Sequence, residues 1–191
     1  MNLLFEIEEE TIPDIPGLTY ISDFITPDEE SALIDNIDMQ PWLNDLKRRV
    51  QHYGYKYDYK ARAVTDDAYL GTLPEWIDPV AQKLPFKPDQ AIVNEYLPGQ
   101  GISAHVDCVP CFDDKIASLS LGSGAMMQFT NGNAKQEVYL KPRSLIILSG
   151  EARYKWTHAI PARKSDVVDG FKIGRSRRVS VTFRNVILNM P

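Results

Sequence analysis

Cysteine and histidine are scarce in this chain of 191 residues: it has two cysteines, Cys108 and Cys111, and three histidines, His52, His105 and His158. Two cysteines cannot build a disulfide framework, and they cannot supply a four-cysteine zinc site. Long apolar runs are missing too. The strongest, Leu145 to Leu148, has the length of a strand core and falls far short of a membrane span. The opening MNLLFEIEEE carries no basic segment, and Glu6 interrupts its apolar residues, so it does not read as a signal peptide. The cytosol is the expected compartment. No linker, low-complexity tract or internal repeat divides the sequence, and one domain over residues 1–191, acting as a monomer, is expected.

Positive charge is absent from residues 1–30, which hold nine acids and no Lys or Arg. With a net charge of -5, the chain is not a protein that coats nucleic acid indiscriminately. Its bases are concentrated instead. Residues 47–62 hold Lys47, Arg48, Arg49, Lys56, Lys60 and Arg62 against Asp58 alone, and residues 163–178 hold six bases against Asp166 and Asp169. Two such strips on an acidic chain fit either solvated faces or a nucleic-acid partner.

Two helices are expected. Thr26-Pro27-Asp28-Glu29 supplies a cap, a proline at the first helical position and a glutamate three residues beyond the cap, ahead of the apolar face Leu33, Ile34 and Ile37. Pro74-Glu75 opens the second, with Trp76, Ile77, Val80, Ala81 and Leu84 at helical spacing. Short strands are expected at 17–24, 49–60, 90–97, 116–121, 125–130, 136–141, 144–149, 154–159 and 177–187. Turns such as Pro98-Gly99 and Asn131-Gly132-Asn133 separate many of them. The pattern is mainly β, a sandwich or barrel with helices against one side.

Parity along two strands suggests a ligand. In RRVSVTFRNVI, Val179, Val181 and Phe183 make an ordinary core face, while Arg178, Ser180, Thr182 and Arg184 share the other. That second face is either solvated or the wall of a pocket for an anion, because the arginine fork matches a carboxylate's two oxygens. In residues 90–97, Ile92, Asn94 and Tyr96 share one side, and Ala91, Val93, Glu95 and Leu97 the other. Asn94 and Tyr96 would place an amide and a phenol opposite the arginines.

Past the Pro98-Gly99 turn, an extended His105-Val106-Asp107 projects its imidazole and its carboxylate the same way. His158, in YKWTHAIP, is the third candidate ligand. Two histidines and one carboxylate on one face of an iron leave positions open for a bidentate 2-oxo acid and dioxygen. Cys108-Val109-Pro110-Cys111 has the Cys-x-x-Cys spacing but neither the βαβ setting of a redox pair nor the further soft ligands of a zinc knuckle. It reads as a loop feature beside the metal.

These residues, in order, resemble the AlkB family of iron(II)- and 2-oxoglutarate-dependent dioxygenases. The resemblance runs through Asn94-Glu95-Tyr96, Pro98-Gly99, His105-x-Asp107, Ser118 to Gly122, Gly150-x-x-Arg153-Tyr154, Trp156-x-His158 and Arg178-x-Ser180-x-Thr182-Phe183-Arg184. It covers roughly residues 90–185, with a looser likeness back to Pro16-Gly17. It implies a double-stranded β-helix (jelly roll) core at about 90–187, preceded by an extension and substrate flap at about 16–89. It also implies His105, Asp107 and His158 as iron(II) ligands, Asn94 and Tyr96 as donors to 2-oxoglutarate, Arg178 at its distal carboxylate and Arg184 near its chelating end. The implied chemistry, with dioxygen as the other cosubstrate, is oxidation of an alkyl group on a modified nucleic acid, single-stranded DNA or RNA, or tRNA. The spacing from His105 to Ser123 is most similar to the tRNA wobble-uridine hydroxylases of the family. Val109 stands where the repair branch often keeps an acid.

The stretch RRVQHYGYKYDYKAR leaves two readings open. Read as one strand, it puts Tyr53, Tyr55, Tyr57 and Tyr59 on one face, with Lys56 and Lys60 on the other. Tyr53, Tyr55, Tyr57 and Lys56 are then candidate substrate residues of a base-stacking flap. Alternatively, the tyrosines pack on the helices. A non-catalytic RNA-binding module, or an oxygenase acting on protein or small molecules, are the other functional readings.

Overall fold

Alternating side chains become strands in most of the places where the sequence repeats with period two. The computed structural model describes residues 12–44 and 46–188. The acidic leader with Glu6 and Glu8 to Glu10 lies outside them. Twelve strands form among the described residues: β1 (Leu18–Ile21), β2 (Val50–Tyr53), β3 (Gln90–Tyr96), β4 (Ile102–His105), β5 (Ile116–Gly122), β6 (Ala125–Asn131), β7 (Ala134–Leu140), β8 (Leu145–Leu148), β9 (Thr157–Ile160), β10 (Ser165–Val168), β11 (Phe171–Gly174) and β12 (Arg178–Arg184). The helices are α1 (Pro27–Asp38), α2 (Asp78–Ala81) and α3 (Gly150–Tyr154). A six-stranded antiparallel sheet runs β1-β8-β5-β12-β3-β2 and faces a four-stranded sheet β4-β9-β6-β7, the architecture of a jelly roll.

The larger sheet has two differently used faces. Ala91, Val93, Leu119, Leu121, Val179, Val181 and Phe183 pack outward against Leu33 and Ile37 of α1 and Ile77, Val80 and Leu84 around α2. A second core, between the sheets, joins Ile116, Ile146 and Leu148 to Met127, Phe129, Val138, Leu140, Trp156 and Ile160. The expected capping box starts α1: Glu29 donates its backbone N–H to Thr26 Oγ1 at 3.2 Å, and the Thr26 N–H donates back to Glu29 Oε2 at 2.8 Å.

Four sequence expectations change. The strand expected over 49–60 ends at Tyr53, because Gly54 takes a left-handed φ of 76° where the chain crosses the Asp89 backbone. A Cβ on Gly54 would lie 1.8 Å from the Asp89 carbonyl oxygen. The second helix is a 3-10 turn at Glu75–Ile77 followed by the short α2. Residues 150–154, of which Tyr154 was expected in a strand, form α3, and the following strand is displaced to 157–160. The hairpin β10–β11 was not expected. Its turn uses Asp169 (φ 51°) and Gly170 (φ 80°), the Asp-Gly pairing that favours tight hairpins and could have announced it.

Candidate active site

Register places the candidate ligands. β4 and β9 run antiparallel with His105 directly opposite His158, so two residues far apart in sequence become cross-strand neighbours. Their rings lie 4.4 Å apart between centroids. Asp107 follows two residues after His105, with its Oδ1 at 3.5 Å from His105 Nε2 and 4.0 Å from His158 Nε2. One ligand atom from each residue falls within 4.8 Å of the others. His105 Nδ1 lies 2.7 Å from the Ser103 carbonyl oxygen. A carbonyl can only accept, so the proton sits on Nδ1 and the Nε2 lone pair is left for a metal.

Protonation suits the same use. Burial pushes the Asp107 carboxyl up, but the Arg184 charge beside it prevails and holds it well below its ordinary value. Arg184 Nε donates to Asp107 Oδ2 at 3.0 Å. Burial pushes His158 down to about 4, against the pull of Asp107, leaving a neutral imidazole at neutral pH. One ionised carboxylate, the neutral imidazole of His158 and the Nε2 of His105 form a donor set that fits iron(II).

The cosubstrate end is built on the inward faces of three paired strands. Arg178 is opposite Tyr96, and Ser180 is opposite both Asn94 and Ser120. Arg178 is 3% exposed and donates Nη2 to Ser120 Oγ at 2.8 Å, yet its Nε and Nη1 meet no partner. A buried guanidinium with unpaired donors is costly, and burial lowers it to about 10, so it stays charged at neutral pH. An anion reaching Nε and Nη1 would resolve that cost, and the distal carboxylate of 2-oxoglutarate fits. Tyr96 lies beside it, with the Arg178 Cζ 5.4 Å from the ring centroid.

Behind the ligands, Arg153 of α3 is 2% exposed and clamps the loop that carries Asp107. It donates to the carbonyls of Asp107 (2.9 Å), Cys108 (3.2 Å) and Phe112 (3.3 Å). The sequence placed Arg153 in a matching motif without giving it a task, and nothing in Glu151-Ala152-Arg153-Tyr154-Lys155 set it apart. Cys108 and Cys111 are joined by a disulfide within this loop, with the Arg62 carbonyl against both sulfurs.

A cavity of about 710 Å³ contains these groups. Its floor is Asn94, Tyr96, Arg178, His105, Asp107 and His158; Lys47, Arg48, Tyr57, Tyr59 and Arg62 also line it. Among the described residues that line it, Asp107 is the only acid. The candidate substrate residues separate here. Tyr57 lines the cavity and tilts on Phe112 at 5.6 Å, joined by Tyr59, which the sequence had on the same face. Tyr53 projects to the helix side against Trp76 at 5.4 Å, and Tyr55 packs on Tyr69 at 5.0 Å. Neither lines the cavity, and Lys56 is exposed outside it. The Gly54 break resets the alternation, so Tyr53 packs on the helix side while Tyr57 and Tyr59 line the cavity. His52 serves this segment, its Nδ1 accepting from the Tyr57 N–H at 3.4 Å.

Comparison with known proteins agrees with this geometry. The model of the 2OG-Fe(II) oxygenase superfamily matches residues 17–184. An alkylated DNA repair protein ALKBH8 homolog of Arabidopsis thaliana is 40% identical over 91% of this chain and 59% of its own length. The tRNA (carboxymethyluridine(34)-5-O)-methyltransferase alkbh8 of Xenopus tropicalis is 38% identical over 94% of this chain and 33% of its own length. The chain thus spans about three-fifths of the first relative and one-third of the second. Among solved structures, OsALKBH1 superposes with a TM-score of 0.67 at 18% identity, covering 88% of this chain and 96% of that one, a likeness of fold. This chain belongs to the 2OG-Fe(II) oxygenase superfamily, with AlkB-type proteins as its relatives, and is an iron(II)- and 2-oxoglutarate-dependent dioxygenase.

Proposed function

We propose that this dioxygenase oxidises an alkyl substituent on a modified nucleic acid, with a wobble uridine of tRNA as the favoured target. One observation carries the substrate class. On a chain of net charge -5, the cavity is lined by Lys47, Arg48, Arg62, Arg178 and Arg184, with Asp107 the only acid among its described lining residues and Tyr57 and Tyr59 in its wall. Cations to steer phosphates and aromatic rings to stack an extruded base are what such a substrate needs. One feature favours tRNA over repair of alkylated bases: Val109, 49% exposed, stands where the repair branch often keeps an acid.

In this reading His105, Asp107 and His158 hold iron(II). Arg178 neutralises the distal carboxylate of 2-oxoglutarate, and Asn94 and Tyr96 donate to it. Arg184 holds Asp107 ionised, while Ile102, Ile146, Leu148 and Ile160 keep the cavity wall apolar and exclude bulk water. With iron(II) bound, the chemistry supplied is dioxygen activation coupled to oxidative decarboxylation of 2-oxoglutarate to succinate and carbon dioxide. A hydroxylated carbon substituent would stay on the base, whereas a hydroxylated N-methyl would leave as formaldehyde. We read the protein as a cytosolic monomer; among the described residues no helix is long and apolar enough to cross a membrane.

Incubation with iron(II), 2-oxoglutarate and, separately, total tRNA, methylated RNA and methylated DNA, followed by mass spectrometry, tests this. A gain of one oxygen on a wobble uridine is expected. Loss of methyl groups from DNA or RNA with tRNA unchanged would assign repair instead. Succinate release insensitive to every nucleic acid would overturn the substrate class.

A further inference from the structure

Arg48 and Arg49 are adjacent, yet they lie on opposite sides of the larger sheet. Arg49 points outward and pairs with Glu95 at 2.6 and 2.7 Å. Arg48 points into the cavity and donates Nε–H to Asn94 Oδ1 at 2.9 Å. Its guanidinium also lies over two rings, 5.6 Å from the Tyr96 centroid and 6.0 Å from that of Tyr59. Tyr96 belongs to the cosubstrate floor, and Tyr59 to the segment that leaves the sheet at Gly54. Arg48 therefore touches the amide and the phenol ring of the cosubstrate end, and one aromatic ring beyond it.

An asparagine amide can be turned either way, and its partners decide which end faces a ligand. Arginine has donors only, so an Arg48 Nε–H aimed at Asn94 fixes the oxygen toward Arg48 and turns the NH2 group away from it. A carboxylate needs donors, so this is the useful orientation. We infer that Arg48 is a positioning residue: it sets Asn94 as a donor to 2-oxoglutarate and, through the shared stacking of Tyr96 and Tyr59, links cosubstrate occupancy to the order of the 54–62 segment. The inference rests on the reading of Asn94 as a cosubstrate donor.

The test uses manganese(II)-loaded protein, which binds 2-oxoglutarate without turnover, with affinity measured by calorimetry and hydrogen exchange followed over residues 54–62. Arg48→Met is expected to weaken 2-oxoglutarate about tenfold, the range of one hydrogen bond to a charged group. Arg48→Lys is expected to do the same, since lysine keeps the charge and loses the planar, directed donor. In wild-type protein 2-oxoglutarate should slow exchange at Tyr57 and Tyr59, and both variants should lose that response. Arg48→Met in an Asn94→Ala background should cost little more, because the two act as a unit. If Asn94→Ala weakens binding but Arg48→Met leaves affinity and exchange response unchanged, the positioning role is overturned. Full affinity in Arg48→Lys would reduce Arg48 to a diffuse charge and overturn it equally. If Asn94→Ala itself leaves affinity unchanged, the cosubstrate reading of Asn94 fails first.

Discussion

Two polar networks occupy opposite faces of the same sheet, built from residues that are neighbours in sequence. Arg49, Glu95 and Arg177 form the outer one, and Arg48, Asn94 and Arg178 the inner one. In the outer network Glu95 accepts from both arginines, and Arg177 reaches on to Asp38 with Nη1 at 2.8 Å. Every charge there has an opposite charge beside it. The inner network has a cation with two idle donors and no carboxylate within reach of them. The outer set is finished within the chain; in the proposal above, the inner set is completed by 2-oxoglutarate. A one-residue slip in register would exchange them.

Breaking the metal end should have the largest effect. Asp107→Ala is expected to reduce 2-oxoglutarate-dependent succinate release to background while the far-ultraviolet circular dichroism stays that of a β protein. Retained turnover would remove Asp107 from the ligand set. Arg178→Met comes next and separates the two networks most sharply. At low 2-oxoglutarate its turnover should fall about a hundredfold, the loss of a charge-assisted pair. Its melting temperature without ligand should hold or rise, because an incompletely paired buried charge has been replaced by an apolar chain of similar length. A fall in both would mean that Arg178 is structural.

How much of this was legible in the sequence follows the same division. On strands, alternation alone sorted Arg178, Ser180, Thr182 and Arg184 from Val179, Val181 and Phe183, and Asn94 and Tyr96 from Glu95, and the structure keeps each on the side assigned. Asp107 and His105 were found as a local pair. His158 was found as the third candidate ligand, but its place opposite His105 was not, since cross-strand register is not written locally. Where the chain leaves regular structure, alternation stops informing. Gly54 was visible as a glycine, but its crossing over Asp89 depends on a contact 35 residues away, and the alternation that grouped Tyr53 with Tyr57 and Tyr59 on one face failed for that reason. Arg153 escaped because its partners are backbone carbonyls of a distant loop, which no side-chain pattern records.

The tyrosines sharpen the comparison at smaller scale. Tyr57→Ala is expected to raise the KM for a nucleic-acid substrate about tenfold, within the range of one lost base-stacking contact, with the KM for 2-oxoglutarate unchanged. Tyr53→Phe should leave both constants alone and cost about 1 kcal/mol of stability, since its hydroxyl donates to Gln51 Oε1 at 2.9 Å on the helix side. Substrate effects from both positions would mean that the Gly54 break does not divide the segment.

The smallest effect should come from the outer network and should depend on pH. The hydrogen bond from Arg49, followed against burial by that from Arg177, holds Glu95 below its ordinary value. A carboxyl lowered in the folded state stabilises above its unfolded value, near pH 4.5, and that contribution disappears as pH falls through the lower folded value. Arg49 is 44% and Arg177 33% exposed, so solvent screens much of the attraction and about 1 kcal/mol is expected. Glu95→Gln should therefore lower the urea midpoint at pH 7, and the gap to wild type should narrow as the pH falls below about 4.5. Its affinity for 2-oxoglutarate should match wild type, although the altered side chain is adjacent to Asn94. A weakened affinity would show that the two faces are coupled through the backbone of β3, and the separation between a finished network and an open one would then be a matter of degree.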